Sequence, residues 1–281
     1  MRSTWCVISP GYPKQTLRAI RNQGNELGFH YNALPKDNKT WSEKEFRKQF
    51  KEITKLFNGK KPVTNKNHYT CWKGDTEFYQ WCERCGIRID QSRGPSKTGD
   101  VGFPFGTCHP HFPVDAKGRI IDVLELPFLT QDLVVTVPSG LVDSLLRAVY
   151  KHHGILHLLF HPHHIRTAGV EQALLYSLKK ARDKKMEWWK AEDINAWERA
   201  RRRLKWIRFQ RKPSGISVRI YCKNALEGAC LLFLSGKSFP VKIRGQKRKT
   251  RLVRRWGFSF ASIVFNGVEG ASYDVEICGD K

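Results

Sequence analysis

ILHLLFHPHHI, residues 155–165, is the stretch on which the reading of this chain turns. A short apolar run such as Ile155–Phe160, flanked by Gly154 and Pro162, is the pattern of a strand buried on both faces, as in a parallel sheet. It finishes on His161. Before it, Leu141, Leu145 and Val149 recur at helical spacing and Gly154 ends the helix. After it, EQALLYSLKKA (171–181) and EDINAWERARRR (192–203) read as further helices.

Working back toward the N-terminus, the same alternation repeats. RSTWCVIS opens the chain as a strand, and Pro13 starts a helix carrying Leu17 and Ile20 that Gly24 stops. ELGFH (26–30) is a short buried strand ending on His30. Ser42 and Glu45 form a capping box ahead of Phe46, Phe50, Ile53 and Phe57. KKPVTNKNHY is extended and ends near His68, and a helix over 75–85 buries Phe78, Trp81, Cys82 and Cys85. IRID then ends on Asp90, and IIDVLELPF (120–128) runs toward Gln131 and Asp132. Strand alternating with helix predicts an α/β fold with a parallel sheet. His30, His68, Asp90 and His161 each stand at a strand end. In β/α barrels those C-terminal ends converge on one face, where active sites sit, so these four are the candidate site.

Beyond residue 213 the pattern changes. SVRIYCKN, GACLLFLSG, FPVKIRGQ and the segments after them are short, β-rich and separated by Gly, Asn and Ser, with no helical period. The expected organisation is a β/α barrel over 1–212 and a small all-β, sandwich-like accessory domain over 213–281.

The chain has 281 residues, is 40% hydrophobic and 12% aromatic, and carries a formal charge of +24, which suits a globular protein and excludes disorder. Two clusters hold much of the charge, Arg199–Lys212 and Arg244–Trp256. Such faces can meet nucleic acid, anionic glycans or an anionic membrane, yet no zinc-finger spacing, RNP-type strand or phosphate loop accompanies them. No apolar run approaches the roughly 20 residues of a membrane helix, and the start is not a secretory signal. Cys82 and Cys85 form a lone CxxC with no second pair for a structural zinc site. Reduced thiols and a cytoplasmic setting are the expectation.

LRAIRNQGNELGFH and ILHLLFHPHHI together resemble the polysaccharide deacetylase (NodB-like) family. The first is similar to its Gly-His-Glu-Ile-Gly-x-His segment and the second to its Leu-x-His strand. NHYTCW, GIRIDQS, GFPFGT and LELPF follow the same order, and the likeness covers roughly residues 1–200. The resemblance implies an incomplete (β/α) barrel and a metal-dependent hydrolase that removes acetyl groups from a carbohydrate. It implies a divalent metal, zinc for preference, that polarises the acyl carbonyl and acidifies water.

The resemblance also assigns roles. His30 matches the first metal-binding histidine of an H-x-x-x-H motif, but Leu34 stands where the second belongs, so His68 is the candidate replacement. His161 matches the late-strand histidine as general acid. Asp90 is the candidate substitute carboxylate, with a turn cap as its ordinary alternative. Trp72 is a candidate to stack on a sugar ring, with plain packing as its alternative, and His163 is a candidate substrate contact. The family's paired Asp at the end of the first strand has no counterpart before His30, as though the chain opened at the second strand. RSTWCVIS is therefore expected at an open sheet edge. The alternatives are a non-catalytic glycan-binding protein on a degenerate scaffold, or a polyanion binder using the basic faces.

Overall fold

The computed structural model describes residues 2–212 and 215–278, and these divide into two compact units, 1–193 and 194–281. The first unit alternates strand and helix: β1 Thr4–Val7, α1 Lys14–Asn22, β2 Glu26–Tyr31, α2 Glu43–Leu56, β3 Thr64–Asn67, α3 Glu77–Cys85 and β4 Ile89–Asp90. There follow β5 Leu124–Glu125, β6 Thr130–Gln131, α4 Leu141–His152, β7 Leu158–Leu159, α5 Val170–Asp183 and the start of α6, Ala191–Arg202.

β1 to β5 form one parallel sheet in sequence order, and β6 pairs with β7 in a separate parallel pair. Among the described residues no strand pairing joins the two into a closed barrel. β1 lies at the sheet edge with β2 as its one partner. The run 155–160 contributes only Leu158 and Leu159 to a strand.

Because side chains alternate across a strand, the two faces of this sheet can be read from its register. Leu27, Phe29 and Tyr31 of β2 face the helices. Phe29 packs on Phe46 and Phe50 of α2, and Tyr31 stacks on Phe78 of α3 at 6.0 Å. Phe29 is in register with Asn65, Asn65 with Asp90, and Asp90 with Glu125, so these polar residues also lie on the helix side. Gly28 and His30 lie on the other face, where His30 is in register with Lys66. Gly28 is needed there, since a Cβ would come within 3.1 Å of Cys6 Sγ and 3.2 Å of the Thr64 carbonyl. Ser42 caps α2 by accepting a hydrogen bond from Glu45 N at 3.2 Å, and the helix buries Phe46, Phe50 and Ile53 against β2. Each such fully buried side chain stabilises by about 2–3 kcal/mol.

The second unit is antiparallel. β9 Gly215–Cys222, β11 Pro240–Ile243, β12 Gln246–Lys249 and β15 Ser272–Cys278 join β8 Leu204–Lys212 in one sheet; β10 Leu226–Leu234, β13 Arg251–Arg255 and β14 Phe258–Gly267 form the other. Val218, Ile220, Leu231, Ile263, Phe265 and Val275 fill one core between them, as a sandwich requires. The division at 193/194 departs from the expected 212/213, a point that adjoins residues 213 and 214, outside the described residues. The reason is pairing: β8 lies antiparallel along β9 from Leu204 to Lys212, so the basic segment belongs with the sandwich.

Candidate functional site

His30 closes β2 and His68 opens the single turn after β3, which brings both to the C-terminal end of neighbouring strands. His30 Nδ1 lies 2.8 Å from the Lys66 carbonyl, an acceptor only, so Nδ1 carries the proton and Nε2 keeps its lone pair. That lone pair faces His68 Nδ1 at 3.1 Å. Burial, reinforced by His68, pushes His30 down to about 3, so the ring is neutral. His68 is lowered for the same first reason, with the Asp37 carboxylate acting against it. A smaller electrostatic contribution from His161 acts on both rings in the same direction. Tyr69 and Thr70, directly after His68, both have positive φ, 52° and 49°. Such strain in non-glycine residues gathers at functional sites.

His161 is held by a residue the sequence reading passed over. Asp132 follows β6, and its Oδ1 accepts from the His161 backbone N at 2.7 Å while its Oδ2 lies 2.5 Å from His161 Nδ1. His164 Nδ1 is 2.9 Å from the same Oδ2, an ion-pair contact, but among the described residues this nitrogen makes no aligned hydrogen bond. Burial raises the Asp132 carboxyl, yet the His161 bonds outweigh it and hold the group below the usual range. The turn presenting Asp132 is itself strained, with φ 41° at Asp132 and 82° at the β-branched Val134. His163 is exposed, its ring 3.9 Å from that of His164. One signal was present in sequence: Asp132 ends a strand just as the histidines do.

Asp90 is not part of this cluster. It is fully buried on the helix face of the sheet, the face opposite to His30. Its oxygens accept from Asn65 Nδ2 at 2.7 Å, Ser92 N at 2.9 Å and Ser92 Oγ at 2.8 Å, and its carboxyl lies against that of Glu125. Asp90 is a buried carboxylate, and its two bonds to Ser92 are those of the turn cap that stands as the ordinary alternative to a catalytic role. Trp72 packs on Phe78 at 5.1 Å and Tyr79 at 4.8 Å, with the Arg93 guanidinium 5.0 Å from its ring. Its surroundings are those of a packing residue rather than of a free sugar platform.

Two groupings can hold a cation. His30 and His68 offer two ring nitrogens at a separation that shared ligands adopt. Asp132, His161 and His164 offer one atom each, all within 4.8 Å of one another, and the unsatisfied Nδ1 of His164 is the kind of atom an ion would satisfy. Imidazole and carboxylate suit zinc and related divalent ions.

An imidazole–carboxylate centre at the C-terminal ends of parallel strands in an α/β unit is thus the class that fold and site define. Comparison with known proteins adds the fold. No family model and no curated protein matches the chain. Among solved structures the fold is similar to a candidate polysaccharide deacetylase from Mycobacterium smegmatis, with a TM-score of 0.52 and 16% identity over 67% of this chain and 68% of that one. At that identity the likeness is one of fold alone. A bacterial fucosidase (TM-score 0.31, 10% identity, 94% of this chain and 69% of that one) and a candidate α-N-acetylgalactosaminidase from Bacillus halodurans (0.31, 12%, 97% and 79%) are too distant to carry an argument.

Proposed function

We propose that the chain is a carbohydrate deacetylase, a hydrolase releasing acetate from an acetylated sugar with the help of a divalent ion. The observation that carries this reading is the His30–His68 nitrogen pair, 3.1 Å apart at the C-terminal end of neighbouring parallel strands, in the same unit as the Asp132–His161 pair. When bound, the ion would polarise the acetyl carbonyl and acidify a water. His30 and His68 would be its nitrogen donors, and the Lys66 carbonyl holds His30 in the tautomer a ligand needs. Asp132 keeps the His161 proton on Nδ1 and stabilises the ring when charged, so Nε2 is the nitrogen that exchanges a proton with the leaving amine or alcohol. His163, exposed next to His164, would meet the sugar, and the basic faces would favour an anionic glycan.

A second reading follows from the orphaned His164 nitrogen: the ion sits on Asp132, His161 and His164 instead. Zinc content of the purified chain and acetate release from a chitin oligomer test both. Under the first reading His30→Ala and His68→Ala lose zinc and turnover while His164→Ala keeps zinc; under the second, His164→Ala loses it. A chain without zinc and without acetate release, yet retaining the oligomer, is a binding protein and not an enzyme.

A further inference from the structure

The charge excess is concentrated in the second unit, where residues 194–281 carry 20 Lys and Arg against six Asp and Glu; residues 1–193 carry 30 against 20. The outer face of its smaller sheet is apolar where an antiparallel sheet normally turns polar side chains to water. Ile263 and Phe265 of β14 point into the core, so by alternation Phe260 and Val264 point out, in register with Leu234 and Cys230 of β10. Leu234 is 72% exposed. Next to it stands the β13–β14 hairpin tip, where Trp256 and Phe258 are 66% and 60% exposed, and Trp256 meets Phe260 edge-on at 5.9 Å.

That tip is built against local preference. Trp256 and Gly257 form the two-residue turn between Arg255 and Phe258, and both have positive φ, 51° and 84°. Asn-Gly is the favoured pair for such a turn, and a bulky aromatic in the left-handed region is a strained choice. Strain retained at an exposed tip points to a use for the indole there. Leu234 also lines a groove of about 630 Å³ between β8 and β10, together with Trp206, Phe209 and Phe239. The apolar surface is therefore continuous from β8 through Leu234 to the tip; Arg251, in register with Ser262, is exposed on the outer face itself, and Arg254, in register with Ser259, is exposed on the opposite side of β13 next to the tip.

We infer that this end of the sandwich docks on an anionic lipid bilayer, with Trp256, Phe258 and Leu234 entering the interface and Arg251 and Arg254 meeting headgroups. Charge complementarity and the aliphatic content select this occupant. A nucleic acid stacks on aromatic rings but offers nothing apolar to cover Leu234 and Val264. A second copy would bring two strongly cationic units together. An interface rich in anionic lipid takes the aromatic, aliphatic and basic groups at once. The inference stands apart from the reading of the histidine cluster.

The test is sedimentation of the full chain with phosphatidylcholine vesicles, alone or with one third phosphatidylserine. The expected result is binding to the phosphatidylserine vesicles. Arg251→Gln with Arg254→Gln should weaken it about 25-fold, each cation being worth about fivefold at low salt. Trp256→Asn with Phe258→Thr should weaken it about tenfold or more without lowering the melting temperature, since Asn suits the turn better than Trp. Three results overturn the inference: unchanged vesicle binding by the Trp256→Asn, Phe258→Thr variant; displacement from vesicles by a single-stranded oligothymidylate whose binding needs the same residues; or dimerisation through this face with no vesicle binding.

Discussion

Exchanging Glu125 for Gln should stabilise the protein increasingly as pH rises. Glu125 is fully buried, Tyr79 OH donates to Oε2 at 3.0 Å and Arg93 N to Oε1 at 3.3 Å. Burial first, and then the neighbouring Asp90 charge, push it well above its ordinary value of 4.5. Asp90 is raised by burial too, but its three donors offset part of that, so the shared proton sits on Glu125. The folded state therefore carries a proton that the unfolded chain releases above about 4.5, and stability from this group is full below that pH and drains away as pH rises. Gln supplies an N–H toward Asp90 in place of the carboxyl O–H, without binding a proton. It gives up one acceptor oxygen, a pH-independent loss of about 1 kcal/mol. Against that offset the variant should gain about 1.4 kcal/mol per pH unit, or about 2 kcal/mol between pH 4.5 and 6. Urea denaturation at several pH values, with unchanged m, measures this directly. A difference between variant and parent that stays flat with pH would refute the shared-proton account.

Asp90→Asn should lower unfolding free energy by about 2 kcal/mol through its lost acceptors while leaving zinc content intact; loss of zinc would return Asp90 to the site. Ser42→Ala should cost about 1 kcal/mol by uncapping α2, and an unchanged melting temperature would argue that the cap is idle. Gly94→Ala would drive a Cβ to 2.4 Å from the Phe128 ring, so a cost of about 1–3 kcal/mol is expected in the melt. His157 is half-buried, and the loss of water around its ring lowers it to about 3 from 6.5. It stays neutral in the fold while the unfolded chain gains a proton, so stability should fall by about 1.4 kcal/mol per unit as pH drops below 6.5. A His157→Gln variant with the same acid slope would contradict that.

The order of strands and helices was legible because the first unit is strongly periodic: Phe46, Phe50 and Ile53 mark α2, and the apolar run of β2 ends on His30. The strand-end positions of His30 and His68 were legible in the same way, from the ends of their apolar or extended runs. Asp90 misled because strand-end position does not say which face a side chain takes. The register Phe29–Asn65–Asp90 decides that, and register is set by pairing across strands. Asp132 was missed because its value depends on a contact with His161, 29 residues away in sequence. Residues 204–212 fell within the expected 1–212 domain because their basic composition hid the strand that pairs with β9. The open edge at β1 was foreseen; the separate β6–β7 pair was not, as two-residue strands leave no periodic trace.

His30 takes its orientation from the Lys66 backbone carbonyl and not from a neighbouring side chain. The geometry of the first candidate ligand is thereby inherited from the alignment of β2 on β3. Exchanges at position 66 can alter the charge beneath the site while the imidazole keeps its tautomer. Only a slip of one strand along the other would turn the ring away, and that would also carry Phe29 out of its aromatic nest. The ring's aim is thus secured by the same packing that secures the fold, and evolution can retune the surroundings of His30 far more freely than its direction.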